Sequence, residues 1–152
     1  MKLPFLRYLP GLGSPPVRQV VAGPGRPAEP ATAALHYLLA ELPELLLAAV
    51  LDLPSGQLLA TYAAERQYQP NLVAAPVAAV VQQAWQLCQG QGAEAPAEIL
   101  LTLASQLHLV RLGPGGQQAL FLAIGSHDTN LALARQVAQD AAQQLAAAPP
   151  AA

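Results

Sequence analysis

Two apolar runs on either side of one short turn constrain the fold of this chain more than any other feature. They occupy residues 45–63 and read LLLAAVLDLPSGQLLATYA. In the turn, Pro54 fixes its own φ and Gly56 accepts a positive φ, so the chain can reverse its direction tightly. Apolar runs of this length between turn residues are typical of strands. The segment therefore predicts an antiparallel hairpin with strands at about Leu45–Asp52 and Gln57–Ala63.

Three more strands and three helices are predicted from the rest of the chain. Thr32 fits the N-cap of a first helix that runs to about Leu42, where Pro43 stops it. The other predicted elements are a helix at about 71–89, strands at about 98–104, 106–112 and 117–125, and a last helix that Asp128 or Asn130 caps and that ends near Ala147. The order is α-β-β-α-β-β-β-α. Because hairpins join the strands, the sequence predicts a five-stranded antiparallel meander with helices packed on it, an α+β fold rather than a doubly wound nucleotide-binding fold.

A change of composition near residue 30 divides the chain. Residues 1–30 hold seven of the fifteen prolines and four of the eleven glycines, which predicts an irregular arm. Within it, Val17–Val21 could add a strand to a sheet edge. Residues 31–147 form the predicted domain, and residues 148–152 a frayed tail. The apolar and basic residues near the N-terminus suit either an anchor for a membrane surface or partner groove, or a tail that packs on the domain.

The distribution of charge limits the partners of this chain. Residues 1–30 carry four basic residues and one acidic residue, a net charge of +3, whereas the remainder carries three basic and eight acidic residues, a net charge of −5. Nucleic-acid binding requires clustered Lys and Arg, so the acidic body argues against it. Only 11% of the residues are charged and 53% are hydrophobic. This composition favours an oligomer or a stable partner over a monomer coated with Gln and Ala.

Cysteine content and hydropathy indicate the compartment. Cys88 is the only cysteine, so a disulfide within the chain is impossible. Together with the lack of a recognisable signal peptide, this predicts a cytoplasmic protein. No apolar run reaches the roughly 18 residues that a membrane-spanning helix needs. The protein is therefore expected to be soluble, or peripheral to a membrane at most.

The sequence contains no recognisable arrangement of nucleophile, base and orienting group. The pairs that it offers are Cys88 with His108, and Ser105 with His108 or His127. Cys88 falls on an apolar helix face, where a thiol acts as a small hydrophobic group and its thiolate is disfavoured. The three histidines, His36 included, lack the spacing of metal ligands. We expect no catalytic residue and no metal site.

Two glycine-containing segments and one carboxylate are assigned to turns. Glycine content similar to that of phosphate-binding loops occurs at Gly11-Leu12-Gly13 and at Gly113–Gly116. Neither segment has the Lys-Ser/Thr ending of a P-loop, and neither lies in a βαβ unit, so the similarity is one of composition alone. Asp52 ends the first strand beside the turn, where its carboxylate is expected to accept from nearby N–H groups. We expect no bound cofactor.

The helix predicted at 71–89 contains no charged residue. Its apolar side chains cover an arc of about 200°, about twice the stripe that one core face requires. One sheet covers only part of such an arc, so a second apolar surface is expected on the remainder, and a second copy of the chain is the simplest source. The residues predicted to form this dimer contact are Val73, Val77, Val80, Ala84 and Trp85.

The order of elements and two short motifs resemble the roadblock/dynein-light-chain family. The first motif is the turn at residues 52–56 (DLPSG). The second combines residues 121–124 (FLAI) with residues 130–135 (NLALAR), which are similar to the Asn-Leu-Gly-Leu-x-Arg start of the last helix in that family. Ala132 stands in the place of the family's Gly. The resemblance covers about residues 31–147, and it leaves the N-terminal arm aside.

The resemblance implies a non-enzymatic homodimer in which the second helix, and often the middle strand, pair across a twofold axis. Family members regulate or scaffold small Ras-like GTPases, and some stimulate GTP hydrolysis by repositioning groups of the GTPase itself. The implied partner is therefore a small Ras-like GTPase, and the family offers no active-site residues to transfer.

Similar profilin-like and sensor folds supply an alternative, a small-molecule-sensing module, which predicts a deep pocket with convergent polar groups. A dimerisation scaffold without a GTPase partner is a further alternative, and a hydrolase is disfavoured because no nucleophile arrangement is present.

Overall fold

A six-stranded antiparallel sheet forms the centre of the molecule, with helices packed on both of its faces. The computed structural model describes residues 17–24, 29–127 and 130–145. In these ranges the strands are β1 Val21–Ala22, β2 Leu45–Asp52, β3 Gln57–Ala63, β4 Glu98–Thr102, β5 Gln106–Leu112 and β6 Gln118–Gly125. The helices are α1 Glu29–Glu41, α2 Ala74–Gly90 and α3 Leu131–Gln144, with short 3₁₀ turns at Pro70–Leu72 and Pro114–Gly116. The α+β class is as predicted.

The strand order differs from the predicted meander. It is β1-β3-β2-β6-β5-β4, so β2 pairs with β6 and a meander exists only among β4, β5 and β6. In β2 and β6, apolar residues are buried on both faces of the strand, for example Ala48 and Ala49 in β2 and Phe121 and Leu122 in β6. Strands that are apolar on both faces are buried best in the middle of a sheet. The connection through α2 therefore carries the chain from β3 across the sheet to its far edge, where β4 lies.

The sixth strand comes from the segment predicted to be irregular, at the end of the Val17–Val21 run that could add a strand to a sheet edge. β1 pairs with β3 in the register Val21 to Thr61, and the amide of Arg18 donates to the carbonyl of Ala63 at 2.7 Å. Gly23 lies so close to the backbone of β3 that a Cβ on it would overlap the carbonyl oxygen of Leu58. The predicted count of five strands is therefore wrong by one, because backbone hydrogen bonds to an open sheet edge need little side-chain pattern. Residues 1–16 and 25–28 lie outside the described ranges.

The first helix begins earlier than predicted. α1 starts at Glu29, so Thr32 is not its N-cap; the Thr32 hydroxyl lies inside the first turn and donates to the Glu29 carbonyl at 3.0 Å. Pro30 fits this first turn because the early residues of a helix have no intrahelical partner for their N–H groups. The end of the helix at Glu41, just before Pro43, agrees with the prediction within one residue.

The last helix confirms one of the two caps predicted for it. Oδ1 of Asn130 accepts from the amides of Ala132 at 2.9 Å and Leu133 at 3.3 Å, which satisfies two N–H groups that have no partner inside the helix. The other candidate cap, Asp128, lies outside the described ranges. The helix ends at Gln144, three residues before the predicted end at about Ala147. The predicted tail falls in residues 146–152, which are also outside those ranges.

The two faces of the sheet bury separate clusters of side chains. On the first face, α1 and α3 pack together over the sheet, and the buried residues include Ala34, Leu35, Leu38, Ala48, Val50, Leu109, Leu120, Leu122, Ala134, Val137 and Ala138. On the second face α2 lies over the sheet, and the buried residues are Ala49, Leu51, Val73, Val77, Val81, Val110, Ala119, Phe121 and Ala123. Among the described residues, one helix therefore covers the second face, whereas two cover the first.

Candidate protein–protein interface

The helix α2 exposes apolar side chains that its own sheet does not cover. Val77 and Val81 point into the sheet and are buried, whereas Val80 and Ala84 are half-buried. Trp85 is 42% exposed and Leu87 is 66% exposed. The 17 residues of the helix include no charged side chain, so no salt bridge or strong hydration opposes the covering of this surface. As predicted, the apolar side chains of α2 therefore extend beyond the part of the helix that the sheet covers.

The ends of α2 follow from local chemistry. The 3₁₀ turn at Pro70–Leu72 delays its start to Ala74, three residues after the predicted start, and Pro76 lies in its first turn, where a missing N–H does little harm. At the other end, Gly92 adopts a φ of 66°. The Gly92 amide donates to the Gln89 carbonyl at 3.1 Å, and the Ala93 amide donates to the Cys88 carbonyl at 2.8 Å. This pair of hydrogen bonds is typical of a helix C-terminus that ends on a glycine with positive φ.

A first apolar groove lies beside the N-terminal half of α2. Its volume is about 240 Å³. The residues that line it are Leu47, Leu72, Val73, Pro76, Val77, Val80, Leu101, His108, Val110 and Phe121. None of these lining residues is acidic, and His108 is the one that can titrate. The groove runs from the helix to the edge strand β4, so it joins two exposed apolar surfaces into one.

A second groove lies beside the C-terminal half of α2, with a volume of about 600 Å³. Trp85, Val81 and Ala78 form its helix wall, and the loop that carries Gly115 and Gln117 closes its other side. The polar side chains among its described lining residues are the amides of two glutamines, Gln82 and Gln117, with no charged group. It is large but lacks the convergent polar groups that the small-molecule-sensing alternative predicts.

The five residues predicted for the dimer contact do not form one surface. Val73 and Val77 retain under a tenth of their exposure because they pack on the sheet of the same chain, and they offer little area to a partner. Val80 lines the first groove and Trp85 the second. Five residues apart at 3.6 residues per turn, these two side chains leave the helix about 140° apart. The dimer contact itself stays a prediction, and the geometry concentrates it on Val80, Ala84 and the first groove.

The sequence reasoning missed the contribution of the edge strand β4. This strand pairs only with β5 among the described residues, and its outer surface and the following turn expose Leu100, Leu101 and Leu103. Leu101 is 44% exposed and lines the first groove. The available signal was the run EILLTLA, which is apolar on both faces although it lies at an edge. Edges usually carry Lys, Pro or a bulge against unwanted pairing, and β4 carries none of them.

The opposite face of β4 is held by an ion-pair cluster. Glu98 accepts from Arg111 of β5 at 3.2 Å and from Arg135 of α3 at 2.7 Å. The Glu98 carboxylate is largely buried, while Arg135 is more than half exposed. The ion pairs attach the edge strand to α3 on the face of the sheet that α1 and α3 cover. On the opposite face of the sheet, β4 leaves Leu101 exposed.

His108 lies in the first groove on β5, facing α2. Its ring packs edge-on against Phe121, with centroids 5.5 Å apart and planes at 83°. Nε2 of His108 lies 2.9 Å from Oε1 of Gln106, where the ring nitrogen donates to the amide oxygen. Burial lowers the pKa of His108 from its ordinary value, because an apolar surrounding disfavours the charged ring.

The structure brings together none of the candidate catalytic pairs as hydrogen-bonded partners. His108 bonds to Gln106, while Cys88 lies half-buried near the end of α2. Ser105 and His127 are exposed in turns, and His36 is exposed on α1. Among the described residues, no group of three His, Cys, Asp or Glu side chains is placed to hold a metal ion.

Asp52 and the glycine segment after β5 act as turn residues. Oδ2 of Asp52 accepts from the Ser55 hydroxyl at 2.6 Å and from the Ser55 amide at 3.2 Å, as predicted for a turn carboxylate. Pro114–Gly116 form a 3₁₀ turn in which Gly115 has a φ of 83°, so this segment is a turn as predicted. Gly11-Leu12-Gly13 lies outside the described residues. In the parts of the chain that are described, no helix is long and apolar enough to cross a bilayer.

Comparison with known proteins identifies the architecture. No protein-family model and no curated protein matches this chain, but solved structures do. MglB of Myxococcus xanthus superimposes with a TM-score of 0.71 at 16% identity, over 82% of this chain and 91% of that one. The gliding protein MglB of Thermus thermophilus gives a TM-score of 0.69 at 22% identity, over 84% and 93%. A roadblock/LC7 domain from Streptomyces avermitilis gives 0.55 at 16% identity, over 72% and 89%.

The chain forms an α+β domain in which apolar side chains of α2, such as Trp85 and Leu87, remain exposed. The domain has the roadblock/LC7 fold. The resemblance found in the motifs of the sequence and the likeness found in three dimensions therefore agree on the architecture.

Proposed function

We propose that this chain is a non-enzymatic, cytoplasmic homodimer that regulates or scaffolds a small Ras-like GTPase. The observation that carries the proposal is the charge-free face of α2, which continues through the first groove to the open edge of β4 on a roadblock/LC7 fold. Contiguous exposed apolar surface of this kind marks an interaction site more often than a solvated face.

A second copy of the chain fits this surface because a twofold interface places the same patch on both sides. The outer edge of β4 presents N–H and C=O groups ready for a partner strand, and antiparallel pairing of two β4 strands would extend the sheet across the axis. Apolar side chains such as Leu101 and Val80 would then cover the same residues of the partner. This arrangement agrees with what the family resemblance implies, namely that the second helix, and often the middle strand, pair across a twofold axis.

Support for the GTPase partner comes from the family resemblance of the sequence and from the structural likeness to a gliding protein. A regulatory rather than catalytic role is consistent with the described hydrogen bonds, in which His108 is paired with Gln106 rather than with a nucleophile. A dimer of this fold would act on a GTPase by binding, through surface that the second copy leaves free.

Self-association is tested with two matched leucine substitutions. Leu101→Asp places a charge in the proposed interface, whereas Leu133→Asp places one at an exposed site, 48% accessible, on α3. We expect multi-angle light scattering to report a dimer for the parent chain and for Leu133→Asp, and a monomer for Leu101→Asp, since burying an unpaired carboxylate is strongly unfavourable. A Leu101→Asp variant that stays dimeric excludes this face as the interface.

The GTPase partner is tested by affinity capture from the cell that makes the protein, with a non-hydrolysable GTP analogue or GDP present. We expect one Ras-like GTPase to be retained in one nucleotide state, and the purified pair to bind with the same preference. GTP hydrolysis by that pair then separates a regulator from a tether. Retention in neither state would replace the proposal with a dimerisation scaffold, or with a sensing module that uses the second groove.

A further inference from the structure

We infer that His108 makes self-association of the α2 face dependent on pH, with the dimer requiring its neutral ring. The inference rests on the proposed homodimer and extends it by a regulatory property of the same surface. It assigns a role to the one titratable side chain in the first groove, which neither the fold nor the function proposed above uses.

Among the described residues, the surroundings of His108 contain no group that would compensate a positive charge. On the neighbouring strands its register partners are Leu101 of β4 and Ala123 of β6. The other groups that face the groove come from β2, the 3₁₀ turn, α2, β5 and β6, and they are Leu47, Leu72, Val73, Pro76, Val77, Val80, Val110 and Phe121. None of these residues is titratable or charged. The polar partner of the ring is the neutral amide of Gln106.

The nearest strand pair does carry charges, but on the other face of the sheet. Glu98 and Arg111 pair with each other across β4 and β5, and Glu98 also pairs with Arg135 of α3, so their side chains belong to the α3 side. On α2, the titratable side chain is Cys88, near the helix end remote from the first groove. His108 is therefore the ionisable group that a partner on this face would bury.

Within the described part of the chain, symmetry gives the second copy no acid to place against His108. In a twofold interface each protomer meets the same face that it presents, and that face is formed by the uncharged α2 and by the apolar residues Ile99 and Leu101 of β4. The half-exposed ring in the single chain would be closed in by apolar side chains in the dimer. Protonation of the ring would then place an unpaired cation in an apolar interface, which is strongly unfavourable.

The direction of the pH dependence follows from this burial. Burial in the single chain already lowers the pKa of His108, and closure of the groove lowers it further, since both disfavour the charged ring. The separated chains therefore bind more protons than the dimer at acidic pH. Association is therefore strongest at and above the ordinary pKa of histidine, and it weakens as the pH falls below that value through the lowered pKa of His108 in the separated chain.

The test compares the dimer dissociation constant at pH 7.5 and pH 5.5, at one ionic strength, by sedimentation velocity, with circular dichroism to confirm folding. For the parent chain we expect the constant to rise on the order of tenfold at pH 5.5, because each dimer carries two such rings. His108→Gln, which keeps a neutral polar side chain, should dimerise with nearly the same constant at both values. His36→Gln, at an exposed site on α1, should keep the parent pH dependence.

The outcomes separate this inference from the proposed dimer. A chain that dimerises equally at both values, or a His108→Gln variant that retains the parent pH dependence, overturns the role of His108 and leaves the dimer standing. A chain that is monomeric at both values overturns the homodimer and the inference together. Should acid unfold the parent chain at pH 5.5, the same comparison is made between pH 7.5 and the lowest pH at which circular dichroism still reports the native fold.

Discussion

The two faces of the sheet are built from the same strands but are covered to different extents. On the α1 and α3 face, two helices seal the sheet, and Leu35, Leu38 and Leu122 have no exposure left. On the α2 face a single helix covers the centre, while Trp85 and Leu101 remain partly open to solvent at its sides. The first face is complete within one chain, and the second has apolar surface in excess of what the fold requires.

This difference separates stability from interaction. Side chains on the sealed face contribute to folding whether or not a partner is present, because their burial is already complete. Within α2, Val77 and Val81 are buried against the sheet and Ala74 and Ala78 are partly buried there, whereas the exposed side chains of the helix are available to another molecule. Substitutions on the two faces should therefore change different measured quantities, and the four predictions below use that contrast.

The largest expected effect lies on the sealed face. Leu38→Ala removes a fully buried side chain from α1 and should lower the free energy of unfolding by about 2–5 kcal/mol, the usual range for a buried leucine. Urea denaturation monitored by circular dichroism measures it. The folded fraction should keep the oligomeric state of the parent chain. A loss below about 1 kcal/mol would show that the sealed face tolerates cavities and that the contrast is overstated.

On the open face the main effect should be on association. Val80→Asp puts a carboxylate beside the first groove, where covering it without a partner costs several kcal/mol of association free energy. We expect size-exclusion chromatography with light scattering to show a monomer. Gln86→Asp, which adds the same charge at an exposed polar site on the same helix, is the matched control and should remain a dimer. If both variants dissociate, charge on α2 in general matters and Val80 has no special role.

The ion-pair cluster behind β4 should have an intermediate effect. Glu98→Gln removes the carboxylate that bridges Arg111 and Arg135 and should lower the free energy of unfolding by about 1 kcal/mol, with the exposed Arg135 contact contributing little. Hydrogen exchange should show that β4 opens faster in Glu98→Gln than in the parent chain. Equal exchange of β4 in the two proteins would mean that its pairing with β5 holds it without help from the ion pairs.

The smallest effect on folding should come from the exposed leucine of β4. Leu101→Ala should change the free energy of unfolding of the dilute, monomeric chain by no more than about 0.5 kcal/mol, as is usual for surface positions. In the same preparation the dimer dissociation constant should rise measurably, because the side chain lines the first groove. A change in unfolding without a change in association would assign Leu101 to the fold and remove it from the proposed interface.

Most of the local structure could be predicted from neighbouring residues. The hairpin of β2 and β3 has the predicted bounds, as does β5, because apolar runs and turn residues act over a few positions. The Asn130 cap and the Asp52 turn were also predicted, since each depends on a side chain bonding to amides two or three residues away. The start of α1 lies three residues before the predicted cap, because Thr32 is a good capping residue in isolation but Pro30 is also compatible with a first turn.

The candidate interface could be predicted only in part. The missing charge on α2 and the width of its apolar arc are properties of the sequence, and both point to a second covering surface. Which apolar residues the sheet already covers is not a local property. Val77 and Trp85 are equally apolar on a helical wheel, yet one is buried against β strands of the same chain and the other is 42% exposed.

Patterns among neighbouring residues specify where most strands and helices begin and end, the class of the fold, and the excess of apolar surface on α2. Three features emerge only from the packing of the whole chain: β2 neighbours β6, β4 lies at an open edge, and Val80 and Trp85 belong to different grooves. The difference lies in the range of the interactions involved. Hydrogen-bonded turns, caps and periodic patterns act between nearby residues, whereas strand order and burial depend on how all apolar faces of the chain are covered at once.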